Sequence, residues 1–105
     1  MGKRQNRDLA SRLAVLVMHL LKWSYQPARR SSSWRRTIYE QRRQLARLLT
    51  AHPSLRPQLP MLLAESYPQA RTKALDEAGL PATALPQNCT WTVMHILEDE
   101  FWPES

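Results

Sequence analysis

Prolines cut this chain into lengths that decide what it can become. Twenty-six residues precede Pro27, the first of them, and a second long proline-free stretch runs from there to Pro53. Within the first stretch Leu9, Leu13, Leu16, Leu20 and Trp23 recur at the spacing of one helix face. Ala10, Ala14, Val17 and Leu21 widen that face. Val15 and Met18 fall on the other side, among Arg12, His19 and Lys22. A helix that is apolar on more than one side needs more than one neighbour. The spacing therefore predicts a central helix that ends near Tyr25, because Pro27 disfavours helical backbone at Gln26.

A second helix is expected from Ser33, a good N-cap, to about Thr50. Trp34, Ile38, Gln41, Leu45, Leu48 and Leu49 form its inner stripe, and Arg36, Arg43 and Arg47 its reverse face with Glu40 among them. Pro60 suits the first turn of a third helix, in which Leu63, Tyr67, Ala70, Ala74 and Ala78 share a face, and Gly79 is its stop. Pro68 lies inside that pattern and removes the bond to the Ala64 carbonyl, which predicts a kink or two short helices. After a loop over residues 80–89, a last short helix begins near Thr90 or Thr92 and ends around Leu97. No segment alternates with a period of two, and none repeats. The expectation is all-α: a compact bundle of about four to five helices with Pro-rich connections, one domain over residues 1–105.

The charges are divided along the chain. Thirteen Lys and Arg stand against only Asp8 and Glu40 through Arg56, and only Arg71 and Lys73 face seven acids after it. Two helix ends carry the sign that the helix dipole disfavours. Arg35 and Arg36 occupy the first turn of the second helix, and Glu98, Asp99 and Glu100 crowd the end of the last. Each misplaced charge costs about 0.3–1 kcal/mol if left exposed and unpaired. Mutual neutralisation is one remedy: the acidic tail packs against Arg29, Arg30, Arg35 and Arg36, with Phe101 and Trp102 pinning it. The arginines left over are then Arg36, Arg43 and Arg47, with Lys3, Arg4 and Arg7 at the start of the chain.

The other outlet is an external anion. Arg29, Arg30, Ser33 and Arg36 surround a helix start, where guanidinium forks, hydroxyls and unpaired backbone N–H groups suit a phosphate. Arg43 and Arg47 extend that surface, which fits sequence-independent, salt-dependent contact with a nucleic-acid backbone. Val15 and Met18 mark an alternative partner surface, for a protein partner, a toxin–antitoxin-like pairing or self-association into a homo-oligomer. Signals for catalysis are sparse. His19, His52 and His95 lie on three segments without ligand spacing, and Cys89 has no partner motif, so neither a metal nor a cofactor is expected. His19 reads as a histidine hydrogen-bonded at the core's edge. Arg47 with His52 matches the Arg-four-residues-His pattern of helical ribonucleases, in which Arg47 holds the phosphate and His52 moves the proton; Leu48 stands where those enzymes have a polar residue. The reading is a non-enzymatic interaction module, an anionic partner placed ahead of an apolar one. A lone cysteine and apolar runs far shorter than the roughly 20 residues of a membrane span make it cytoplasmic, with no membrane contact.

Several segments keep a shared order and spacing: Met18-His19-Leu20-Leu21-Lys22-Trp23, Gln26-Pro27, Arg30-Ser31, Ser33-Trp34, Thr37-Ile38 and Gln41-Arg42. Pro53-Ser54-Leu55-Arg56-Pro57, Gly79-Leu80-Pro81 and Phe101-Trp102-Pro103 continue the series. Together they resemble the bacterial domain-of-unknown-function family number twenty-nine over nearly the whole chain. The resemblance implies a small all-helical domain with no established role and no catalytic residues to transfer. Members of that family typically carry a further N-terminal stretch with an acidic helical segment. The chain is accordingly read as a short form or a fragment in which Val15 and Met18 form the surface that this segment covers.

Overall fold

A computed structural model describes residues 2–103, with side chains from Asn6 onward, so the side chains of Lys3 and Arg4 lie outside the described residues. The leucine ladder becomes α1, Gly2–Tyr25, a helix of 24 residues in a molecule that measures 39 Å in its longest dimension. Pro27–Arg29 form a 3-10 turn that reverses the chain into α2, Ser32–Ala51. A second 3-10 stretch, Pro53–Gln58, leads into α3, Leu59–Ala78, and a short turn at Ala82–Ala84 precedes α4, Val93–Leu97. The fold is all-α, and among the described residues there is no strand.

α1 is the central element expected from its two apolar sides, since both α2 and α3 pack on it. Ser66 of α3 donates to the Ala10 carbonyl at 3.2 Å, and Lys22 meets Glu77 at 2.6 Å. Early residues thus pair with early and late with late, so α1 and α3 run parallel and α2 returns between them in direction. Leu9, Leu13, Leu16, Val17 and Leu20 are fully buried, against Ile38 and Leu45 of α2 and Leu63, Tyr67 and Ala70 of α3. Each such aliphatic side chain contributes about 1.5–3 kcal/mol by leaving water. His19 sits at the edge of this core, its Nδ1 donating to the Val15 carbonyl at 2.8 Å.

α3 stops at Gly79, which takes φ 66° in the left-handed region, while Leu80 N–H returns to the Leu75 carbonyl at 3.0 Å. Of the two outcomes expected at Pro68, the division into two short helices does not occur: α3 is one element across it. The physical reason is exposure. Pro68 and Ala64 both face solvent, so water can satisfy the orphaned Ala64 carbonyl while Leu63, Tyr67 and Ala70 stay seated in the core.

The irregular segments are held largely by arginine. Arg71 donates to the carbonyls of Ala82, Leu85 and Pro86, and Tyr67 Oη adds a 2.6 Å bond to Pro86. Burial pushes the Tyr67 phenol up to about 12. Arg30 Nε donates to the Trp23 carbonyl at 2.8 Å, closing the α1–α2 turn. Arg42 does the same for the C-terminal segment. A planar guanidinium offers five donors in a fixed fork, enough to serve several carbonyls that no helix or sheet can satisfy.

Candidate functional site

The α2 surface is built from its cap outward. Ser31, in extended backbone, is the N-cap, and its Oγ accepts from Trp34 N at 3.2 Å. Ser33, expected to be the cap, lies instead inside the first turn and is exposed. Helical spacing then buries Ile38, Arg42, Leu45 and Leu49 on one side. On the other, Arg36, Arg43 and Arg47 stand exposed, with Glu40 and a half-exposed Tyr39 beside them. Arg29 is also exposed, in the turn before α2. Among the described residues, none of Arg29, Arg36, Arg43 and Arg47 forms an ion pair; the pairs present are Arg12 with Asp8 and Lys22 with Glu77.

Other arginines of this region are engaged. The Arg30 guanidinium, besides its bond to the Trp23 carbonyl, lies 4.9 Å from the Trp23 ring. Arg35 sits against two indoles that touch each other, 5.1 Å from Trp23 and 5.3 Å from Trp102, whose rings are themselves 4.8 Å apart. Arg42, 3 % exposed, donates through Nε to the Ile96 carbonyl at 2.8 Å and through its two terminal nitrogens to Asp99 and Phe101 at 3.2 and 2.7 Å. Burial pulls its pKa below the ordinary arginine value, and the nearby carboxylates of Asp99 and Glu98 work against that pull. Phe101 is packed edge-on to Trp91 and stacked with His95.

The acidic tail therefore does lie on α2, but backbone carbonyls and an indole hold it there. Glu98, Asp99 and Glu100 remain exposed, and among the described residues they make no ion pair with Arg29, Arg30, Arg35 or Arg36. The tail takes up Arg35 and Arg42 and leaves Arg36 open. Arg47 and His52 do not share a face: five residues of helical advance separate them by about 140°. His52 is the C-cap of α2, its N–H bonded to the Leu48 carbonyl at 2.9 Å. Among the described residues no three His, Cys, Asp or Glu side chains gather into a metal-binding group. Nor is any described helix long and apolar enough to cross a membrane.

Val15 and Met18 are half-buried. They line a groove of about 420 Å³ between α1 and α3, with Ala10, Ala14, Ser66 and Gln69 also on its walls and Arg7, Glu65 and Lys73 among its charged residues. α3 thus covers part of the surface that the sequence left open.

The family model described as domain of unknown function DUF29 matches residues 1–102. The chain belongs to that family. No curated protein and no solved structure matches it. In this DUF29 chain the residue that sequence reasoning passed over is Arg42. Its signal was available, because Arg42 sits four residues after Ile38 and three before Leu45, squarely in the buried stripe. A guanidinium at such a position has to find acceptors inside the protein.

Proposed function

We propose that this DUF29 chain is an α-helical binding module whose α2 face contacts the phosphate backbone of a nucleic acid. The observation that supports the reading is the sorting of arginines on one helix. Those that can be satisfied internally are turned toward carbonyls and indoles, while Arg36, Arg43 and Arg47 stand in a line toward solvent without a carboxylate partner among the described residues. From Arg36 to Arg47 the line advances eleven steps, or about 16 Å of helix axis. Duplex DNA presents one negative charge per roughly 1.7 Å, so several phosphates fall within reach of that line. Arg29 and Ser33 extend the same surface toward the N-terminus of α2, where the helix dipole also favours an anion.

Arginine suits this task through its bidentate fork. The face supplies no recognisable base-reading constellation, so the contact proposed is sequence-independent. Four phosphate contacts, from Arg29, Arg36, Arg43 and Arg47, give an expected slope of about −3.6 for log K against log salt concentration. The test is fluorescence anisotropy with labelled duplex DNA and RNA across a salt series. Replacing Arg36, Arg43 and Arg47 together by Gln is expected to weaken binding and reduce the slope by about 2.7. Binding that is undetectable in low salt, or indifferent to the triple replacement, removes the proposal.

A further inference from the structure

On a different surface, the start of α3 and the short α4 flank an open groove of about 530 Å³, walled by Leu59, Pro60, Val93, Met94 and Leu97. Spacing within α4 explains what stands beside it. Thr92 caps the helix, its Oγ1 accepting from His95 N at 3.2 Å, and Ile96 is fully buried. Met94 is turned by about 200° from Ile96 and has nowhere to go but outward. It is 81 % exposed, the most exposed large apolar side chain among the described residues. Val93 and Leu97 fall between these extremes and are half-buried. An unbranched, adaptable side chain thus projects from the rim of an apolar groove into solvent.

The charged residues of the same groove say what fits it. Arg56 and Glu98 both line it and both are exposed, and among the described residues neither belongs to an ion pair. A surface carrying one cation, one anion, one protruding methionine and one apolar groove is complementary to itself. In a two-fold contact the same patch serves both partners, so every pairing occurs twice. We propose that a second copy of this chain occupies the groove. The Met94 side chain of each copy seats against the apolar walls of the other, and Arg56 of each faces Glu98 of the other. This dimer is independent of the anion-binding reading and needs no nucleic acid.

The charge pair makes a test with its own control. Sedimentation equilibrium on the full chain, without nucleic acid, is expected to show a monomer–dimer equilibrium. Arg56→Glu and Glu98→Arg each place like charges across the two-fold twice, and each is expected to raise the dissociation constant at least about tenfold. Mixing those two variants restores both pairings, so a one-to-one heterodimer forms, and the double variant R56E/E98R dimerises with itself again. Met94→Glu is expected to give a monomer whose urea midpoint, compared at concentrations where the wild type is also monomeric, is unchanged, since the side chain of the free chain is already in water. A wild-type chain that stays monomeric to about 0.5 mM overturns the proposal. So does self-association that ignores the charge reversals, or that is lost in Val15→Glu and kept in Met94→Glu.

Discussion

Replacing Arg42 by Ala removes a cation that holds three carbonyls of the C-terminal segment, and the cost can be worked from its contacts. The bond to Ile96 lies in the buried interior, so its loss strands a carbonyl with no route to water. That alone costs about 1–3 kcal/mol. The carbonyls of Asp99 and Phe101 are only partly buried and recover solvent, which limits their share to roughly 1 kcal/mol each. The stack of the guanidinium on Trp102, at 5.4 Å, adds about 0.5–1 kcal/mol. The expected loss is about 3.5–6 kcal/mol, against the 5–15 kcal/mol typical of a whole domain. Arg42→Lys keeps the charge but not the planar fork, so it is expected to lose about half as much.

Two measurements check this. Urea unfolding gives the global loss. Hydrogen exchange at the Glu98 and Phe101 amides, bonded to the His95 and Glu98 carbonyls at 3.1 Å each, reports the tail directly. An Arg42→Ala chain within about 1 kcal/mol of wild type, with those amides equally protected, refutes the account of Arg42 as the clamp of this segment.

Three further outcomes follow from the geometry. Gly79→Ala is expected to destabilise by about 1–2 kcal/mol in thermal unfolding although no atom lies within 4 Å of the added Cβ, because the cost is φ 66° itself; an unchanged midpoint contradicts it. Burial holds the His19 imidazole below its ordinary value, with the Val15 carbonyl opposing and Lys22 assisting. The unfolded chain therefore takes up this proton first, so stability falls as pH drops through the ordinary value near 6.5 and levels off below the folded value. His19→Gln is expected to remove that slope from urea midpoints measured between pH 7.5 and 5, and an identical slope in the variant rejects the assignment. Burial also pushes the Cys89 thiol upward, so its alkylation by iodoacetamide at pH 8 is expected to be about tenfold slower in the native chain than in urea; equal rates contradict this.

What the sequence made legible is what local chemistry decides. Pro27 located the C-terminal end of α1, Gly79 marked the stop of α3, and Thr92 was one of the two threonines near which α4 was expected to begin. Three consecutive serines all qualify as caps, and only the reach of Ser31 to the Trp34 amide distinguishes them. Pro68 reads as a breaker in one dimension, whereas in three its helix survives because the lost bond faces water. The C-terminal segment was the hardest to read. Its acids suggested ion pairs, yet its attachment runs through carbonyl oxygens, which every residue has and no sequence displays.

The arginine doublets make the division of labour on α2 testable in pairs. Arg35-Arg36 and Arg42-Arg43 lie seven residues apart, two helical turns, so the first members share one side of the helix and the second members another. One residue of advance rotates a side chain by about 100°, enough to move it from the tail to open solvent. Arg35 and Arg42 accordingly meet Trp102, while Arg36 and Arg43, with Glu40 on the same side of the helix, form no ion pair among the described residues. Arg35→Ala is expected to cost about 1–2 kcal/mol through its two indole contacts and to leave phosphate contacts intact. Arg36→Ala is expected to leave stability within about 0.5 kcal/mol and to lower the salt slope of nucleic-acid binding by about 0.9. Arg43→Ala should repeat the second pattern and Arg42→Ala the first. If both members of a doublet alter stability and binding alike, the helical phase of these side chains does not separate the two roles, and the open arginines are merely the solvated edge of the clamp.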